Sequence, residues 1–86
     1  MDLYQPFDAQ ALGEHQALGL RRRLIEKAVE LARDRDQIKE ELLAEQQMAP
    51  LLRLLATLLE VQKEIDEYYL RYLEIEERLL QLQLHG

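Results

Sequence analysis

The second half of the chain carries apolar residues at alternating spacings of four and three: Leu54, Leu58, Val61, Ile65, Tyr68, Tyr72, Ile75, Leu79 and Leu82. A spacing that averages 3.5 places all of them on one side of a helix, whereas a strand would alternate by two. This half is therefore expected to be a long amphipathic helix. A weaker stripe precedes it through Leu24, Ala28, Leu31, Arg35, Ile38 and Leu42, widened by Ile25, Val29 and Ala32. Continued in sevens, the first stripe arrives at Lys63, so the two stripes are out of register. Pro50 falls between them. It has no N–H to donate, suits the first turn of a new helix and disrupts the interior of an old one.

These features predict an all-α helical hairpin with long helices over about 20–47 and 50–84, turning around 46–50. The rival is one long helix kinked at Pro50 and paired with other chains. The local turn chemistry is weak, because "AEQQMAP" offers no glycine for a left-handed C-terminus and no Ser, Thr, Asp or Asn to cap the second helix. At the other end, residues 1–8 read as an extended arm, since Pro6 biases Gln5 away from helix. Asp8 is a candidate N-cap, with Phe7 and Leu12 at the two positions of a hydrophobic staple. A weaker helical segment is expected over 9–18, with a break near Gly19, because Gly13 and Gly19 each cost about 1 kcal/mol relative to alanine. Residues 9–86 then form a single helical-hairpin domain.

Charge separates the hairpin from its rival. Between Arg21 and Lys39 stand seven basic and four acidic residues, and between Glu60 and Glu77 seven acidic and two basic. In an antiparallel hairpin, positions whose numbers sum to about 97 lie level. Arg21, Arg22 and Arg23 come level with Glu74, Glu76 and Glu77. Arg33 comes level with Glu64, and Arg35 falls within a turn of Glu64 and Asp66. Such pairs add little stability but specify the antiparallel register. The run "GLRRRL" thus reads as a set of inter-helix ion pairs. A net charge of -6 argues against attraction to nucleic acid or anionic lipid.

One seam cannot cover the remaining apolar residues of the second helix. Leu51, Leu52, Leu55, Leu59, Tyr69, Leu70, Leu73, Leu80 and Leu84 lie beside or behind the stripe. Exposed apolar surface on this scale marks an interface. The expectation is self-association into a four-helix bundle, a homodimer first and a tetramer second. Candidate interface residues are Leu54, Leu58, Val61, Ile65, Tyr68, Tyr69, Tyr72, Ile75 and Leu79. A helical partner protein is the alternative occupant.

No constellation for chemistry emerges. There is no cysteine and no serine, and the one threonine, Thr57, sits in "LLATLL", where its hydroxyl is expected to bond back to a preceding carbonyl. Neither His15 nor His85 has a glutamate three residues before it, so the Glu-x-x-His pattern of di-metal bundles is missing. No catalytic residue, metal or cofactor is assigned. "PLLRLLATLLEV" is too short for a membrane span of roughly 20 residues and contains Arg53. "MDLYQPFDAQ" lacks the features of a secretory signal, and a cytoplasmic protein is expected. In length and helical class the chain resembles the small all-helical chorismate mutases. That resemblance would give Arg21, Arg22, Arg23, Arg33, Arg35 and Lys39 the task of holding a dianion, although the acidic segment opposite would neutralise them. The expected role is a non-catalytic interaction module: an assembly factor, adaptor or regulator. A small acidic chaperone holding a secretion component's helix in an apolar groove is the alternative, and a mutase-type enzyme a distant one.

Overall fold

The computed structural model describes residues 8–85 and forms an all-α hairpin of two long helices. A 3-10 turn, Ala9–Ala11, leads into α1, Glu14–Ala44, and then α2, Met48–His85. The long helices pack antiparallel over most of their length. Two contacts establish the register: Arg21 reaches Glu76, and Arg35 reaches Gln62. Both pairs of numbers sum to 97, so the register is constant between them.

The chain enters as an extended residue followed by a tight turn. Asp8 has φ -90° and ψ 102°, and its carboxylate accepts the Gln10 N–H at 3.0 Å. Residues 1–7 of the expected arm, including Phe7 of the staple, lie outside the described residues, as does Gly86. The expected segment 9–18 is not a unit. Leu12 is extended, Gly13 becomes the N-cap of α1, and the helix runs through Gly19 without a break. Gly13 donates its N–H to Gln16 Oε1 at 3.2 Å, which helps begin the helix. Ala17 and Leu20, within two residues of Gly19, are both buried. Burying those side chains outweighs the roughly 1 kcal/mol penalty of one helical glycine.

The turn is tighter and earlier than the sequence suggests, at residues 45–47. Its cap is a glutamate. The Glu45 carboxylate accepts the N–H groups of Gln46 at 3.1 Å and Gln47 at 2.9 Å. It performs the task expected of a shorter polar residue. Pro50 is the third residue of α2 and not the first. Any position in the first turn tolerates it, because N–H groups there have no partner within the helix. Leu51 then donates the first regular bond, to the Gln47 carbonyl at 3.1 Å.

The core is small and lies away from the turn. Leu12, Ala17, Leu20, Leu24 and Leu31 pack on Tyr68, Ile75 and Leu79, with Val61 and Ile65 against their edge. No residue in 32–67 is fully buried. The molecule measures 58 × 18 × 18 Å, with a radius of gyration of 16.9 Å, against about 12 Å for a compact domain of this length. No helix among the described residues is long and apolar enough to cross a membrane.

Two substitutions test this packing. Ile75 is wholly buried, so Ile75→Ala is expected to cost about 2–5 kcal/mol in urea unfolding. Gly19 sits in mid-helix with open space around an added Cβ, so Gly19→Ala is expected to stabilise by about 0.5–1 kcal/mol.

Candidate interaction surface

The ion pairs expected across the seam form at only one place. Arg21 Nη1 donates to Glu76 Oε1 at 3.1 Å, with both side chains about one-third exposed. Arg22 turns instead to Glu26 on its own helix at 3.1 Å. Arg35 bonds Asp36 and Gln62, each at 3.4 Å, in place of Glu64 or Asp66. Asp66 accepts from Gln62 Nε2 at 3.0 Å. Among the described residues Arg23, Arg33, Glu64, Glu74 and Glu77 form no ion pair. The reason is rotational. Consecutive residues are turned by about 100° around a helix, so being level does not mean facing, and one arginine of three adjacent ones points along the seam. At its exposure the Arg21 pair is worth at most about 1 kcal/mol.

A third link ties the N-terminal turn to α2. Arg78 Nε donates to the Leu12 carbonyl at 2.8 Å, holding the end of the 3-10 turn against α2. The guanidinium satisfies a backbone acceptor left free by the 3-10 turn, and sequence spacing gives no sign of it. Thr57 Oγ1 donates to the Arg53 carbonyl at 3.0 Å, as its position implied. Among the described residues no group of three or more His, Asp or Glu side chains is placed to hold a metal ion.

The two sides of the hairpin differ in chemistry. On one side, helical spacing brings out Arg23, Glu30 and Asp34 of α1 with Glu60, Glu67 and Glu74 of α2, all exposed. The other side is apolar. There Ile25, Val29 and Ala32 of α1 face Ile65, Tyr69 and Tyr72 of α2 across a groove of about 380 Å³, floored by Leu24, Ala28 and Tyr68. Asp66 is the one charged residue in its lining, and no cation lines it. Tyr69 and Tyr72 stack at 6.3 Å between ring centres, which stiffens the α2 wall. Arg71 lies 5.7 Å from the centre of the Tyr68 ring.

Of the residues named from sequence as an interface, Tyr68, Ile75 and Leu79 are buried in the hairpin's own core. Leu54, Leu58, Val61, Ile65 and Tyr72 are half-buried along the seam, and Tyr69 is 58% exposed. The larger unclaimed surface lies farther round α2. Met48, Leu52, Leu55, Leu59, Tyr69, Leu73 and Leu80 are all exposed, Leu59 at 72%. With Gln62, Asp66, Glu76 and Gln83 in the gaps, they make a second stripe at four-three spacing. Leu70 and Leu84 border it, also exposed. Ile25 and Val29 of α1 are the other residues that a sequence list of the surface omits. Their signal was the widening of the first stripe.

No protein-family model matches this chain, and comparison with curated proteins and with solved structures finds no match. The functional reading accordingly rests on the surface itself. Arg78→Ala is expected to release the Leu12 carbonyl and accelerate amide exchange at residues 9–13, with exchange at the Leu24 and Ile75 amides changed less than threefold.

Proposed function

We propose that this protein is a non-catalytic interaction module that associates with itself through the apolar side of the hairpin. The observation that carries the reading is the exposed second stripe of α2, continuous with the Ile25–Tyr72 groove. The hairpin exposes 6482 Å², about 1,200 Å² more than a compact monomer of this size would. That excess is comparable to what one partner contributes to a stable complex, about 800 Å². A core this small also leaves an isolated hairpin marginal, and a second apolar layer supplies the burial it lacks. Two hairpins joined in this way make a four-helix bundle. The charged side, with Glu30, Glu60 and Glu67 exposed, stays in water.

The groove favours a second reading. A trough of about 380 Å³ walled by Ile25, Val29, Tyr69 and Tyr72 fits the apolar edge of a helix from another protein, as in a small chaperone. A site for a small dianion fits poorly, since no cation lines that trough.

Sedimentation equilibrium separates these readings. A self-associating module is expected to give a dimer at micromolar concentration that unfolds in one cooperative transition. Tyr69→Glu combined with Leu73→Glu is expected to raise the dissociation constant at least a hundredfold and shift the mass to that of one chain. A monomer across the whole concentration range that binds an apolar dye would remove the self-association reading and favour the chaperone.

A further inference from the structure

The order of residues along the second stripe carries information about how two copies meet. Met48, Leu52, Leu55 and Leu59 form one apolar block, and Tyr69, Leu73 and Leu80 another that Glu76 interrupts, with Gln62 and Asp66 between the two. Resting on the self-association reading, we infer that two copies pair α2 against α2 in antiparallel fashion, about a dyad beside residue 64. Antiparallel helices in heptad register bring the two stripe classes level with each other. When the numbers sum to 128, Met48 meets Leu80 of the second copy, Leu55 meets Leu73, and Leu59 meets Tyr69, while Leu52 meets Glu76 in the one apolar–polar mismatch along the stripe. The polar pair Gln62 and Asp66 then meets its own copy, so its polar groups face polar groups.

Neighbouring registers carry more mismatches. A shift of one heptad to a sum of 135 sets Leu59 on Glu76, Gln62 on Leu73 and Asp66 on Tyr69. A shift the other way, to 121, sets Leu55 on Asp66 and Leu59 on Gln62. Each sets two or more stripe pairs in polar–apolar mismatch, against one in the register that sums to 128, and every such mismatch is costly. A parallel pairing keeps the apolar blocks together but places Asp66 on Asp66 and Glu76 on Glu76. In the antiparallel register Asp66 instead lies beside Lys63 of the other copy, and the dyad holds two lysines, two aspartates and two glutamines. Charge balance therefore selects the antiparallel arrangement. It also lays the turn half of each hairpin, where no residue in 32–67 is buried, along the half that contains the core.

The absence of cysteine makes the test direct. Copies carrying Leu55→Cys are mixed with copies carrying Leu73→Cys and treated with a short bismaleimide, after sedimentation has established that the mixture is dimeric. The expected product is the 55–73 crosslink, at least tenfold over 55–55 or 73–73. Dominant 55–55 and 73–73 products from a dimeric sample would overturn the antiparallel dyad and leave self-association standing. A monomeric native chain would remove both. Asp66→Asn gives an independent sign. Loss of the Lys63 partner is expected to weaken dimerisation at least threefold, whereas a parallel dimer would tighten by relief of repulsion.

Discussion

Everything in this molecule follows from an excess of apolar surface on one helix. α2 has one stripe that faces α1 and a second, at the same four-three spacing, that faces water. α1 has a single stripe with a modest extension through Ile25 and Val29. A two-helix hairpin has one seam, so it can satisfy the first stripe of each helix and nothing more. The burial pattern reflects this limit. Residues at the open end, from Leu12 to Leu31 and from Tyr68 to Leu79, close into a small core, while the turn half remains half-covered throughout. At roughly 25 cal/mol per Å², the exposed leucines of α2 represent several kcal/mol withheld from folding.

Electrostatics plays a directing part beside this. The basic stretch of α1 and the acidic stretch of α2 lie level, and the Arg21–Glu76 pair is the point where they touch. A single pair with both side chains about one-third exposed cannot hold the hairpin together. Its value lies in disfavouring other registers, together with the Arg35–Gln62 bond at the same offset. The tie from Arg78 to the Leu12 carbonyl adds a third constraint at the open end. Backbone satisfaction, more than charge pairing, accounts for this link between the N-terminal segment and α2.

Much of the fold was legible from residue spacing. The stripes announced two helices, Pro50 announced a break between them, and the opposed charge blocks favoured an antiparallel return. Boundaries were less legible, because they depend on groups whose role is not tied to their residue type. Glu45 caps a turn for which no conventional capping residue was present. Gly19 continues a helix that its intrinsic cost would interrupt, since Ala17 and Leu20 close by are buried. The interface was legible only as a surplus. Sequence set the stripe of Ile75 and Leu79 apart from the surplus of Leu59 and Leu73, but it named the stripe as the interface, and the hairpin's own core buries Ile75 and Leu79.

The periodicity of the chain determined by itself that it would be helical and that apolar surface would remain uncovered, while Pro50 and the opposed charge blocks favoured the doubling back. These are properties of pattern, since spacing along a helix sets which residues share a face. Only the tertiary structure decided which face that would be. The choice depends on the rotation of each helix about its axis, and the packing of Leu24, Tyr68 and Ile75 sets that rotation. Once it is set, the charged side and the groove side are assigned, and one arginine of three meets a glutamate.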